Sequence, residues 1–80
     1  MSKELKVISA VWCGACGLLK KQLDSNNIPY SVVDGDTPGG MAVCKEFGVR
    51  SLPTSIIYDN GSFVSMVVGN KYKEVVEEMR

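Results

Sequence analysis

Leu5-Lys6-Val7-Ile8-Ser9-Ala10-Val11-Trp12-Cys13-Gly14-Ala15-Cys16-Gly17-Leu18-Leu19 is the stretch from which the rest of the chain is read. Leu5 to Val11 is rich in apolar and β-branched residues, at a length suited to a buried strand. From Cys13 to about Asn26 the period changes. Cys16, Leu19 and Leu23 fall at i, i+3, i+7 and make an inward stripe, while Lys20, Lys21 and Asp24 face out. A strand therefore runs into a helix, and two cysteines stand at the junction.

The same reading extends outward. Asp24-Ser25-Asn26-Asn27 ends the first helix with residues that favour caps and turns. Tyr30 to Val33 is a short strand after Pro29, and Asp34-Gly35-Asp36 is a turn. Thr37-Pro38 reads as N-cap and first position of a second helix that runs to Phe47 and stops at Gly48. Gly39 and Gly40 each weaken that helix's first turn by about 1 kcal/mol relative to Ala. Ser55 to Tyr58 and Ser62 to Val68 are strands joined by Asp59-Asn60-Gly61, a strong hairpin signal. Tyr72, Val75, Val76 and Met79 define a last amphipathic helix, with Lys73 and Glu77 paired on its wet side. The order is β-α-β-α-β-β-α. Strands joined by a helix are parallel with a right-handed crossover, and hairpin strands are antiparallel. The expected architecture is α/β: one four-stranded mixed sheet with three helices on its two faces, in a single domain over residues 1–80.

Composition narrows the function. The chain has 80 residues and a mass of 8.7 kDa, enough for one domain with a thin core. Nine basic and nine acidic residues cancel, so the basic stripe of a nucleic-acid binder is absent. No apolar run approaches the roughly 20 residues that span a membrane. Met1-Ser2-Lys3-Glu4 runs straight into the first strand without the apolar core and cleavage site of a secretory signal, so a cytoplasmic protein is expected. There is no His, the usual general base and zinc ligand. Three cysteines are too few, and odd in number, for a disulfide scaffold.

Chemistry is concentrated at Cys13-Gly14-Ala15-Cys16. Two cysteines at i and i+3 on a first helical turn can approach closely enough for a disulfide. The helix N-terminus presents unpaired N–H groups and a positive dipole end, which favour a thiolate at Cys13. About 1.4 kcal/mol of stabilisation lowers a thiol pKa by one, and the thiolate is the nucleophile. Cys16 lies on the buried stripe, placed to attack a mixed disulfide at Cys13 and release the reduced substrate. The pair is also half of a zinc site, in which Cys44 would be a third thiolate and the fourth ligand a carboxylate or a second chain. Cys44 otherwise stands at helical spacing from Met41 and Phe47, on an inward face, as a packing residue. Trp12 is read equally as core or as the edge of a groove. Asp34, Asp36 and Asp59 are read as turn and cap residues, with Asp34 near the cysteines if the second strand ends there.

Two segments carry a family resemblance. Ala10-Val11-Trp12-Cys13-Gly14-Ala15-Cys16 resembles the thioredoxin active-site stretch, with Ala15 in the place usually held by Pro. Phe47-Gly48-Val49-Arg50-Ser51-Leu52-Pro53-Thr54, followed by Asp59-Asn60-Gly61 and Gly69, resembles the segment that carries that family's cis-proline, hairpin and groove glycine. With the element order, the resemblance to small thioredoxin/glutaredoxin-like dithiol oxidoreductases covers nearly the whole chain. It implies Cys13 as nucleophile, Cys16 as resolving thiol, and a disulfide between them in the oxidised state. It implies a cis Pro53 beside Cys13, and substrate contacts at Trp12, Gly14, Ala15, Leu52, Pro53 and Gly69. Pro has no N–H and cannot continue a ladder, so the Leu52 backbone can meet an extended peptide.

The sequence departs from the family in three places. Thioredoxins commonly carry a buried acid six residues before the first active-site Cys, and that position is Val7. Ala15 makes the active-site turn less rigid. Gly69-Asn70-Lys71-Tyr72 lacks the glycine pair and acids with which glutaredoxins hold glutathione. The implied activity is reduction of protein disulfides without a bound cofactor. An NADPH-dependent thioredoxin reductase or glutathione supplies the electrons. A monomer is expected, because the amphipathic helices are already needed for the two sheet faces. A thiolate metal-binding module and a thioredoxin-fold interaction subunit are the other classes.

Overall fold

The apolar run after Glu4 becomes a strand that is buried on both sides. The computed structural model describes residues 3–80. In it β1 spans Lys3–Ser9, and Val7 and Ile8, on opposite faces, both lose all solvent contact. Met1 and Ser2, the start of the segment read as lacking a secretory signal, lie outside the described residues. The chain continues as α1 (Gly14–Ser25), β2 (Ser31–Asp34), α2 (Pro38–Phe47), β3 (Thr54–Asp59), β4 (Ser62–Val68) and α3 (Tyr72–Met79). This is the expected β-α-β-α-β-β-α order.

The sheet order is β2-β1-β3-β4. β1 pairs parallel with β2, Val7 beside Val32 and Ser9 beside Asp34. It pairs antiparallel with β3, Val7 opposite Ser55 and Ile8 opposite Thr54. β3 and β4 form the hairpin, whose central residues Asn60 and Gly61 have φ of 54° and 84°. A type I′ turn requires both to be positive, which is why Asn-Gly was a reliable signal.

The two faces are covered unequally. Leu5, Val7, Ile57 and Val67 pack against Leu19 and Leu23 of α1 and Val75 and Val76 of α3. On the opposite face Phe47 of α2 meets Tyr58 and Phe63, with ring centroids 6.5 and 5.4 Å away. α2 leaves part of β4 uncovered, where Phe63, Val64 and Val68 stay about half exposed.

Three local expectations are corrected. β1 stops at Ser9 rather than Val11, because the chain turns at Val11-Trp12 and the Cys13 N–H closes that turn on the Ala10 carbonyl at 3.1 Å. Val11 is consequently 95% exposed. Cys13 is the N-cap of α1 and not its first helical residue. The inward face of α2 does not include Met41, which is 56% exposed. That face follows Gly40, the half-buried Val43 and Cys44, and Phe47, again at i, i+3, i+4, i+7.

Gly40 explains why α2 faces this way. A Cβ there would overlap the Asp34 carbonyl and crowd the Gly35 Cα, whereas Gly39 faces open space. The glycine that weakens the helix locally lets its first turn sit on the end of β2. Thr37 completes the junction: its Oγ1 accepts from the Gly40 N–H at 3.0 Å and donates to the Asp34 carbonyl at 2.8 Å.

Gly40→Ala is expected to destabilise by about 1–3 kcal/mol through overpacking, more than the roughly 1 kcal/mol that Ala gains in a helix. Gly39→Ala should stabilise by up to about 1 kcal/mol. Urea midpoints of the two variants should move in opposite directions. In the same assay Thr37→Ala is expected to lose about 0.5–2 kcal/mol with its cap.

Candidate active site

The site forms where three strand ends meet. β1 finishes at Ser9, β2 finishes beside it at Asp34, and β3 starts directly after Pro53. The loop after β1 lifts Val11 and Trp12 into solvent and delivers Cys13 to the start of α1. Cys13 and Cys16 are joined in a disulfide with their Cα atoms 5.4 Å apart. One sulfur is half-buried at the surface end. The other belongs to Cys16, which is 1% exposed.

Helix geometry makes the two sulfurs unequal. Cys13 has extended backbone angles, φ −94° and ψ 102°, as an N-cap does. Its Sγ accepts the Cys16 N–H at 3.2 Å. A donor that α1 leaves unpaired is therefore aimed at the Cys13 sulfur, at the positive end of the helix dipole. Gly14 and Ala15 form the exposed and half-buried link between the cysteines.

The second segment leads into β3, whose Thr54 pairs with Ile8 near the end of β1. The Leu52–Pro53 peptide bond is cis. Pro53 is buried, and its carbonyl accepts the Gly69 N–H at 2.8 Å. Gly69, at φ 91°, is thereby joined to the proline loop. Leu52 is half-buried and lies outside the strands. Among the turn and loop bonds of the described residues, none uses its N–H or C=O.

Trp12 is not a core residue. It is 69% exposed, and its Nε1–H donates to Asp36 Oδ2 at 2.8 Å. Asp36 was read as a turn residue only. It does take part in the turn, donating its N–H to Asp34 Oδ1 at 2.9 Å, but its carboxylate also orients the indole. No spacing rule finds this pair, since the two residues are separated by a helix and a strand.

Cys44 does not join the other cysteines. It is half-buried on α2 and outside the disulfide. Among the described residues no group of three Cys, Asp or Glu side chains gathers that could hold a metal ion. Val7 is fully buried at the position where an acid was noted as missing.

Comparison with known proteins agrees with this geometry. The family model described as Thioredoxin matches residues 3–80. The thioredoxin of Griffithsia pacifica is 36% identical over 64 residues, covering 75% of this chain and 59% of that protein. The bifunctional thioredoxin reductase/thioredoxin of Mycobacterium leprae is 36% identical over 70 residues, covering 80% of this chain and 15% of that protein. Thioredoxin F from spinach chloroplast superposes with a TM-score of 0.82 at 23% identity, covering 98% of this chain and 73% of that one, which speaks to the fold. The chain thus spans about three-fifths of the Griffithsia relative's length. A family match that runs from the first described residue to the last, on a chain that joins Cys13 to Cys16 in a disulfide and carries a cis Leu52–Pro53 bond, places the protein in the thioredoxin family.

Proposed function

We propose that this chain is a thiol–disulfide oxidoreductase that reduces disulfides in proteins. The observation that carries the reading is the inequality of the two sulfurs: Cys13 caps α1 at the surface, and Cys16 is buried one turn in. In the reduced form the Cys16 N–H and the helix end stabilise an anion at Cys13. The Cys13 thiolate attacks one sulfur of a substrate disulfide. That bond breaks, the other substrate sulfur leaves with the electron pair and takes a proton, and Cys13 is left in a mixed disulfide. Cys16 then loses its proton and attacks Cys13 Sγ. The second substrate sulfur leaves and is protonated, and the Cys13–Cys16 disulfide is restored. The substrate gains two electrons and two protons, and the dithiol loses them.

Trp12, Gly14, Ala15, Leu52, Pro53 and Gly69 form the substrate edge in this reading. The exposed indole, the unused Leu52 main chain and the Gly69–Pro53 hydrogen bond support it. An extended peptide laid along this edge pairs its backbone with Leu52. The reaction needs no resident cofactor, because both electrons are carried by sulfur. The proposed donor is an NADPH-dependent thioredoxin reductase, with glutathione as the second source. Support for the first comes from the Mycobacterium leprae relative, whose name joins a thioredoxin reductase and a thioredoxin in one protein. We place the protein in the cytoplasm as a single-domain monomer over residues 1–80, with neither nucleic acid nor membrane as partner. No helix of the described residues is long and apolar enough to cross a membrane.

Cys13→Ser is expected to abolish insulin-type disulfide reduction. Cys16→Ser should start the reaction and stall it, leaving a covalent complex with substrate that mass spectrometry detects and dithiothreitol releases. A Cys13→Ser variant that retains turnover would sink the assignment. Asp36→Ala frees the Trp12 indole. It should raise KM for a protein substrate by about two- to tenfold, the worth of one hydrogen bond, with kcat little changed and the tryptophan emission altered.

A further inference from the structure

The buried polar side chains of the described residues are Ser9, Thr54 and Ser55. Thr54 faces away from α1, and its Oγ1 donates to the Ser51 carbonyl at 2.7 Å. Ser55 is different. It is 0% exposed, and its Oγ has no hydrogen-bond partner in the protein. Buried hydroxyls are normally paired, so an unpaired one calls for a role.

Its place in the fold supplies one. Ser55 lies directly opposite Val7 in the β1–β3 ladder. Side chains alternate along a strand, so Ser55 shares the face of Ile57 and Val7 shares that of Leu5. Leu5, Val7 and Ile57 pack against Leu19 and Leu23 of α1. Ser55 is therefore under α1, one step closer to the active-site end than Ile57. Cys16 is the buried α1 residue one turn closer to that end than Leu19.

The surroundings offer Cys16 little else. α1 brings Cys13 and, toward solvent, Lys20, Lys21 and Asp24. β1 brings Leu5, Val7 and Ser9 on this face, β2 brings Val32 and, beside Ser9, the half-buried Asp34, whose Oδ1 accepts the Asp36 N–H, β3 brings Asp59 only at its far end, and α3 brings the apolar Val75 and Val76. Reduction changes what this pocket needs. In the disulfide the Cys16 sulfur is a weak acceptor. As a thiolate in the resolving step it is a charged one, and hydrogen bonds to charged groups are the strong ones.

We infer that Ser55 is a positioning residue for the resolving cysteine: its Oγ–H, idle in the oxidised protein, donates to Cys16 Sγ in the reduced protein and holds the thiolate as it forms. The inference rests on the roles proposed above for Cys13 and Cys16. Ser55 keeps its proton throughout. The Cys16 proton goes to solvent, the Cys16–Cys13 bond forms, the Cys13–substrate bond breaks, and the departing substrate sulfur takes up a proton. The hydroxyl thus stabilises the reduced dithiol relative to the disulfide.

Ser55→Thr and Ser55→Val test this, because Thr and Val have nearly the same shape and differ in the hydroxyl. Each is equilibrated with a dithiothreitol or glutathione buffer, and free thiols are trapped. The Val variant should favour its disulfide over the Thr variant by about five- to tenfold, one hydrogen bond's worth; tenfold is about 30 mV. In single-turnover reduction of insulin, the pH midpoint for resolving the mixed disulfide should rise in the Val variant, and the Thr variant should stay near the parent. Ser55→Ala, which adds no volume, should follow Val. Equal potentials and equal pH midpoints across Ser, Thr, Val and Ala overturn the inference while leaving the dithiol mechanism intact. Failure of the unsubstituted protein to reduce insulin overturns the dithiol mechanism itself.

Discussion

Burial of β1 on both faces and along both edges is the constraint on which the site depends. Val7 and Ile8 have no solvent contact, one facing α1 and α3 and the other facing α2's side of the sheet. A strand so enclosed can end only where its neighbours permit. Parallel pairing with β2 brings Asp34 beside Ser9, and antiparallel pairing with β3 brings Thr54 opposite Ile8. The end of β1, the end of β2 and the start of β3 are thereby forced to one edge. The loops that leave those ends carry Trp12 and Cys13, Asp36, and Pro53. Loops at such an edge are held by the sheet beneath them and still face solvent, which suits them for contact with a partner.

The chemical inequality of the cysteines follows from the same edge. Because the chain turns at Val11-Trp12 before α1 begins, Cys13 becomes a cap and receives the Cys16 N–H at 3.2 Å. Cys16, on the Leu19–Leu23 stripe, is carried under the helix against the sheet. One sulfur meets a helix terminus and the other meets the core. Had β1 continued to Val11 as its composition implied, Cys13 would lie further along the strand direction and lose the cap.

The core beneath α1 is nearly without charge. Val7, Leu5, Ile57 and Val75 fill it, and the chain has no His to place there. A buried cysteine in such surroundings must find hydrogen-bond donors among neutral groups, since unpaired ions are costly in an apolar interior. That makes the unpaired Ser55 hydroxyl notable and gives the proposed resolving step a neutral partner. On the other face, close contact of Gly40 with the end of β2 performs a different task. It anchors α2 beside the strand end from which Asp36 reaches the Trp12 indole.

Much of this was legible in the amino-acid order alone. The seven elements, the Thr37 cap, the Gly48 stop, the Asn60-Gly61 turn and the cysteine pair at a helix start depend on local period and backbone preference, which neighbouring residues encode. The strong match around Pro53 carried the cis bond by resemblance, which spacing alone does not supply. Other features depended on the assembled sheet. Gly40, and not Met41, faces the sheet, where the approach of α2 to Asp34 excludes a Cβ. Asp36 gained a partner 24 positions away. Ser55 came to lie opposite Val7 and under α1 only through strand register. The sequence by itself determined which segments become strands, helices and turns, because those choices are made within a few residues. Only the tertiary structure decided which side chains meet across the core, because those contacts join residues that no local pattern connects.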